Sequence, residues 1–363
     1  MTDHYRKLRL AYLAIVLLEL VAVELPGARD YARAPYAGYE MGPESSNDFN
    51  SDYLVPPVIG EIRSGSPAEK AGLRRGDRVL RVEGIPFGQQ ERIIGLGRPK
   101  IGEARSLVIE RNGAVVPVQI IYEKNPEAYH VRYTVFLLIA VLFLTVGTIC
   151  FWLFPSATTS LLFWFGFCGA FVFMHKPYFA SFAARTQFAL LRWLLTSLWL
   201  ATLVHFLFIF PRPKAAMKSR RSLIRAGIYV PCLLLFSFIA YYTLFPSRLV
   251  GRGSLVMNIV FLFIGTYLVA AAAAFAHSFL GLKKSEQTPG LKIMLFGTAL
   301  GLLPIAISII LGIATPSVHL PNQEYYILTL ALIPVSFGYA VLEQMKAVSA
   351  MPAVAVSSKR EIG

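Results

Sequence analysis

Few residues of this chain could do chemistry, and they are scattered. Three ionisable groups fall inside strongly apolar runs: Glu19, His205 and His277. A charge within lipid is costly, so groups of this kind are functional candidates by default. Glu24 and Arg192 accompany them in the same runs. Glu19 lies near the middle of its run and is expected to face inward and find a partner. His205 and His277 share an expected depth, as a haem or metal pair would, although histidines at an interface more commonly just reach water. His130, His175 and His319 make a second layer at the opposite end, compatible with a metal or proton sensor or with ordinary polar residues at helix ends. Hydrolytic chemistry asks for more. A zinc hydrolase needs His-Glu-x-x-His on one helix face, to hold the metal and supply a base. No such run occurs, and inside the apolar segments no Glu lies three or four residues from a histidine. The apolar part also lacks a Gly-x-Ser-x-Gly elbow, and there is no Walker loop, kinase signature or dinucleotide glycine fingerprint. Cys150, Cys168 and Cys232 all sit in apolar runs, with no CxxC pair or disulfide framework. The residues alone predict no enzyme, no cofactor and no metal.

The elements that must position these groups follow from composition. Of 363 residues 55% are hydrophobic and 15% charged, with a mean hydropathy of +0.56, far from the soluble average of about 25% charged. Between Val131 and Met345 the only acids are Glu286, Glu324 and Glu343, whereas 17 of the 21 precede Val131. A charged, soluble-looking part therefore precedes an apolar one. The net charge of +14 does not indicate nucleic acid: no basic stripe interleaved with aromatics is present, and basic residues of membrane proteins gather in cytoplasmic loops.

A spanning helix needs about 20 mostly apolar residues. Seven runs qualify after the soluble part: Val131–Phe154, Ser160–Met174, Phe188–Phe210, Ala226–Phe245, Leu255–Leu280, Leu291–Ile313 and Tyr325–Gln344. An eighth, Leu10–Leu25, follows Arg6, Lys7 and Arg9. Its basic start and short apolar core would also fit a signal peptide, but Glu24-Leu25-Pro26-Gly27 is a poor cleavage site, so an uncleaved anchor is expected. Loop charges give the orientation. The 212–225 loop carries Arg212, Lys214, Lys218, Arg220, Arg221 and Arg225 with no acid, and Lys283 and Lys284 mark the 281–290 loop. Basic residues stay on the cytoplasmic side. Eight spans with both termini cytoplasmic follow, in a bacterial inner membrane, with the soluble part exported and 346–363 a cytoplasmic tail without expected order.

The soluble part reads as a linker, 26–54, then a domain, 55–125. The linker stretch is rich in Tyr, Gly, Pro, Asp and Ser without periodicity. In the domain, Val58–Ile62 and Arg78–Val82 read as strands, and Gln89–Leu96 as a helix. Ser66-Pro67 opens a helical turn that Gly72 ends, each residue where its backbone chemistry suits it. Ser106–Glu110 and Val115–Ile121 form a hairpin across Asn112-Gly113.

The run Ser66-Pro67-Ala68-Glu69-Lys70-Ala71-Gly72-Leu73-Arg74-Arg75-Gly76-Asp77, led by Val58-Ile59-Gly60-Glu61-Ile62, resembles a bacterial PDZ domain. It is similar to those of periplasmic serine proteases and site-2 metalloproteases. The resemblance implies β-augmentation, in which a peptide or protein C-terminus adds a strand to a sheet edge. By position the groove would lie between Val58–Ile62 and Gln89–Leu96. Amides near Pro57, Val58, Ile59 and Gly60 would face the carboxylate, with Glu61 and Ile62 continuing the strand, and Ile62, Ile93 or Leu96 would line the pocket. Gly95-Leu96-Gly97 echoes a carboxylate loop only in its letters, since it follows the helix. A spacer or dimer contact is the plainer alternative.

The apolar part resembles the seven-span sensory module of bacterial sensor histidine kinases through three segments: His205-Phe206-Leu207-Phe208-Ile209-Phe210-Pro211-Arg212-Pro213, Gly297-Thr298-Ala299-Leu300-Gly301-Leu302-Leu303-Pro304, and Leu332-Ile333-Pro334-Val335-Ser336-Phe337-Gly338-Tyr339-Ala340-Val341-Leu342. No phosphorylatable histidine or ATP-binding motif follows, so phosphotransfer is not expected of this chain. The sequence thus predicts a mostly α bundle of eight transmembrane helices with one small α+β PDZ domain, acting as a non-catalytic sensor or adaptor. Its partners would be a peptide or protein C-terminus, membrane lipid, and a separate kinase or protease. A transporter or channel-like bundle and a protease-accessory protein are the alternatives.

Overall fold

The computed structural model describes residues 3–41, 56–214, 217, 219–245, 248, 252–282, 288–314 and 327–349. The chain begins with helix α1 (Asp3–Glu19), which passes through a π-helical turn (Leu20–Glu24) directly into α2 (Leu25–Ala32). The wider turn, closed by the Leu25 N–H on the Leu20 carbonyl, sits just before Pro26. In a regular helix the proline ring would crowd the carbonyl four residues back. The expected end of the anchor at Leu25 is therefore passed by about two turns.

Ten elements follow: β1 (Pro35–Tyr36), β2 (Tyr39–Met41), β3 (Ile59–Ile62), α3 (Pro67–Lys70), β4 (Arg78–Val82), β5 (Ile85–Pro86), α4 (Gln90–Gly95), β6 (Ala104–Arg111), β7 (Ala114–Ile121) and β8 (Glu123–Lys124). The main sheet has the order β5-β4-β6-β7, a second pair is β2-β3, and β1 pairs β8. Bonds from the Ile59 amide to the Asp77 carbonyl (2.8 Å) and from the Val79 amide to the Pro57 carbonyl (2.9 Å) join β3 to β4. Asn112 and Gly113 both take positive φ, 51° and 81°, as a two-residue hairpin demands. Ser66 caps α3 by accepting from the Glu69 amide at 3.2 Å. The Glu69 carboxylate takes the Gly65 amide in return (2.6 Å). Ile59, Ala68, Leu73, Val79, Leu107, Ile109, Val118 and Ile120 form the core.

Two features depart from the sequence reading. Residues 35–41, expected within a linker, supply β1 and β2, so the sheet begins ahead of the expected boundary at 55. Short extended segments without alternation carry no periodic signal; their strand character comes from pairing with β8 and β3. The remainder of the expected linker, from residue 42, lies outside the described residues. Arg105, on the inner face of β6, is buried. Its guanidinium donates to the Gly97 and Leu96 carbonyls (2.9 and 3.3 Å), closing the C-terminal end of α4 as a basic group there can.

The apolar half comprises α5 (Glu127–Leu153), α6 (Ala157–Phe173), α7 (Phe182–Ile209), α8 (Arg221–Leu244), α9 (Gly253–Leu280), α10 (Pro289–Ala314), a 3-10 turn (Leu328–Ala331) and α11 (Leu332–Ser349). Helices overlap all eight predicted runs. Five of them among the described residues are long and apolar enough to cross a membrane: Tyr133–Leu153, Phe182–Ile209, Arg221–Leu244, Asn258–Leu280 and Leu328–Ala347. Ala157–Phe173 and Pro289–Pro304 are apolar but shorter.

Lipid offers no hydrophobic drive between helices, so close packing must hold them. Gly147 and Gly166 let α5 and α6 touch: a Cβ on Gly147 would meet the Leu162 carbonyl oxygen at 2.7 Å and the Phe163 Cα at 2.8 Å. Phe143, Phe165, Trp199, Phe206 and Phe337 stack through the centre at 5.4–5.9 Å. Tyr12 ties α1 to α6, its hydroxyl 2.8 Å from the Ser160 hydroxyl and taking a bond from the Trp164 indole at 3.1 Å. Gly297 and Gly301 fit α10 against α11 and the turn before it, where a Cβ on Gly301 would meet Ile333 Cγ1 at 2.9 Å and the Thr329 carbonyl oxygen at 3.1 Å. Replacing Gly297 with Leu puts a side chain into Ser336 and is expected to cost about 1–3 kcal/mol of packing. Thermal unfolding of the detergent-solubilised protein should show a lower midpoint; an unchanged one would contradict the packing.

Asp77 is the staple of the soluble domain. It is 1% exposed, and its carboxylate accepts from Arg111 Nε and Nη2 (2.8 and 2.7 Å) and from the Arg74 amide (2.7 Å). Burial works to raise its carboxyl, but the bonds from Arg111 and Arg74 outweigh that and hold it below the usual carboxylate range. The folded value lies below the unfolded one. The contribution is therefore present above the unfolded value of about 3.9 and lost as pH falls through the folded value. Asp77→Ala leaves a guanidinium without its bidentate partner and should destabilise the domain by about 3–5 kcal/mol. Urea unfolding followed by hydrogen exchange on β6 and β7 would measure it. The deficit should shrink below pH 4, and a loss independent of pH would contradict the ion-pair account.

Candidate peptide-binding edge

The expected groove strand is β3, and the structure gives its two edges. On one side β2 pairs with it in antiparallel register, Tyr39 opposite Ile62 and Glu40 opposite Glu61. On the other side lie the bonds to β4 already described. The strand is thus paired with β2 along Ile59–Ile62 and bonded toward β4 only at its start, Pro57–Ile59. Pro57 is buried and its carbonyl is taken by Val79. Ile59 and Ile62 pack into the core with Ala37 and Tyr39. Ile93 and Leu96 are half-buried on α4, flanking the buried Ile94, and lie outside that core cluster.

The outer edge belongs to β2, with no further strand on it among the described residues. The Arg63 amide donates to the Gly38 carbonyl at 2.9 Å, which marks residues 38 and 63 as a hydrogen-bonded pair. In antiparallel register the next pair, Tyr39 with Ile62, is non-bonded, so the amide and carbonyl of Tyr39 are directed away from β3. The turn that sets this up is tight. The Ala37 carbonyl accepts from the Ala68 amide (2.9 Å). Gly38 has φ +79°, and a Cβ there would lie 2.8 Å from Ser66 Oγ and 2.9 Å from Tyr36 Oη. Only glycine suits the position. Glu40 is exposed and pairs with Arg63 at 3.1 Å. Sequence reasoning passed over Tyr36-Ala37-Gly38-Tyr39. The available signal was a glycine between aromatic residues ahead of the first regular strand.

The intramembrane candidates are not brought together. His205 is buried, with Nδ1 2.9 Å from the Tyr229 hydroxyl. His277 is exposed on α9, with Nδ1 3.4 Å from Lys214 Nζ. That lysine also donates to the Ala274 carbonyl (2.7 Å) and the Ser278 hydroxyl (2.6 Å), capping the helix. The two histidines thus have different partners. Glu19 is buried, but neither of its carboxylate oxygens has a hydrogen-bond partner. The partner expected for it is not found among the described residues. Of the second histidine layer, the His175 ring forms a three-ring cluster with Tyr31 and Tyr133, and His319 lies outside the described residues.

α4 leads into the junction with the apolar half. Arg98 Nη1 donates to the Asp30 carbonyl at 2.6 Å and lies over the Tyr178 ring at 5.1 Å, and the Tyr178 amide donates to Asp30 Oδ2 at 2.7 Å. The end of the expected groove helix, the first helix and the α6–α7 connection meet at these three residues.

Comparison with known proteins agrees with the soluble domain. Residues 58–111 match the PDZ domain family. The regulator of sigma-E protease RseP from Escherichia coli is 36% identical over 72 residues, 20% of this chain and 16% of that protein. A Neisseria meningitidis protein with the provisional name zinc metalloprotease NMA0084 is 38% identical over 61 residues, 17% of this chain and 14% of that protein. A solved HtrA-type protease, AlgW with a tripeptide, aligns at 23% identity over 26% of this chain and 32% of that one, with a TM-score of 0.20. The chain spans about one sixth of the length of the curated relatives it matches. These findings correct two expectations. The relatives are named as proteases or protease regulators, and none of those named is a sensor kinase, so the non-catalytic sensor reading and its separation from enzymes are both overturned. The chain carries a bacterial PDZ domain of the kind found in membrane metalloproteases, on a mostly helical multi-pass scaffold.

Proposed function

We propose that this chain works in membrane proteolysis, as a PDZ-bearing membrane protein that engages extended peptide segments for a site-2-type protease system. The observation that supports it is that the matched segment, residues 58–111, is shared with proteins named for that activity. The peptide would add antiparallel beside β2, the outer strand of the β2–β3 pair. Main-chain bonds would give affinity and side-chain pockets specificity, with α4 as the facing wall. Eight spans would carry the domain, three of them below the length or apolarity of the other five. The basic 212–225 loop would be cytoplasmic and the PDZ domain exported.

Three measurements test this. Topology comes first: a cysteine in place of the exposed Glu61 should react with a membrane-impermeant maleimide in intact spheroplasts, and one in place of Ser222 only after permeabilisation. The native cysteines are buried and give little background. The reverse pattern would end the exported-domain reading. Next, a photocrosslinking residue at Glu40 should capture peptides or protein C-termini. The same residue at Val115, 65% exposed on β7, should not. Equal capture at both sites would remove the β2 edge as a site. Finally, deleting the chain in its host should change the half-life of at least one membrane protein captured at position 40. Unchanged turnover of every captured protein would sink the proteolytic role.

A further inference from the structure

The inward stripe of the first helix runs Tyr12, Val16, Glu19, Glu24, Gly27. Its steps are four, three, five and three residues, and the step of five coincides with the π turn Leu20–Glu24. A π turn repeats every i to i+5, so the extra residue brings the Glu24 side chain onto the face that already carries Glu19. Both are 3% exposed. Neither Glu19 oxygen has a hydrogen-bond partner, and Glu24 Oε1 has none. No salt bridge to either is present among the described residues. Two buried carboxyl groups on one face of a distorted turn, three of their four oxygens without a partner, call for a ligand that satisfies them.

We propose that Glu19 and Glu24 form a proton-binding site inside the bundle. An isolated ionised carboxylate in apolar surroundings is far costlier than the neutral acid, and a second carboxylate on the same face adds repulsion that a shared or bound proton removes. A metal cation fits less well: hard cations take about six or more oxygens, and no group of three His, Cys, Asp or Glu side chains that could hold one is found among the described residues. The charged and titratable groups on the neighbouring elements include Glu127, Tyr129, His130, Arg132 and Tyr133 on α5, His175 and Lys176 in the α6–α7 connection, and Arg192 on α7, which reaches the Val172 carbonyl at 3.4 Å. Arg9, Arg29 and Asp30 lie on the same helix. Among the neighbouring cations, Lys176 and Arg192 each have interactions elsewhere. The π turn, which in a regular helix would not be needed, is the device that brings the second carboxyl in.

The test is infrared spectroscopy on the full chain in lipid vesicles. At pH 7 the carbonyl stretch of a protonated carboxylic acid is expected, fading as pH is raised. Glu19→Gln and Glu24→Gln should each remove part of it, and the double substitution nearly all. Should the variants fail to fold, a hydrophobic carbodiimide, which attacks protonated carboxyls, should modify Glu19 or Glu24 of the unaltered protein at pH 7, located by peptide mass. Absence of the band at pH 7 overturns the site, as does a band untouched by the double substitution. Loss of the band on adding sodium at constant pH would make it a cation site and overturn it equally.

Discussion

Each main-chain N–H and C=O must find a partner, and this chain meets that demand differently in its two halves. In the apolar half the helices close most of their bonds within themselves, as lipid requires, with Pro231 and Pro304 the interior exceptions. In the soluble half partners are found between strands, and a sheet that is not a closed barrel always has edges. The position of the last unfilled edge decides where an incoming peptide can be received. The β2–β3 pairing, with Tyr39–Met41 against Ile59–Ile62, already occupies one side of the strand that looks like the receiving one.

The sequence showed well what depends on single residues with narrow backbone requirements. Ser66, Pro67 and Gly72 bounded α3, and Asn112-Gly113 closed the β6–β7 hairpin, because capping and positive φ restrict which residues fit. Apolar runs marked the helices, since burial in lipid is a bulk property of about 20 residues. The hidden parts depend on contacts distant in sequence. β1 and β2 span two and three residues, too short for alternation to register, and they are strands only because β8 and β3 lie beside them. The π turn was equally silent, since nothing in Leu20-Val21-Ala22-Val23-Glu24 distinguishes it from regular helix until Pro26 and the inward stripe are considered together. For the candidate site this meant that a PDZ domain was identified while the strand paired with Ile59–Ile62 went unseen.

The functional correction has the same origin. Motifs for metal or nucleophile chemistry occupy a few residues, and their absence from the apolar half suggested a protein outside enzymology. The PDZ domain carried the contrary information, because its similarity runs to proteins named for proteolysis. Likeness in the apolar segments, built mostly of Phe, Leu, Gly and Pro, reflects what helices in lipid generally need. Small residues at crossings and aromatic fillers recur for packing reasons alone, as Gly147, Gly166 and the Phe143–Phe337 stack illustrate.

The attachment of the soluble domain has a mechanical meaning. α2 ends at Ala32 and β1 begins at Pro35, while β8 ends at Lys124 and α5 begins at Glu127. The two passages run side by side, Pro35 opposite Lys124 and Tyr36 opposite Glu123, above a ring contact of 5.4 Å between Tyr31 and Tyr133. A domain on one flexible strand would swivel freely. Held by a paired ribbon with almost no slack, it can lean but resists spinning, so torque applied at its rim passes into the first helix and α5 together.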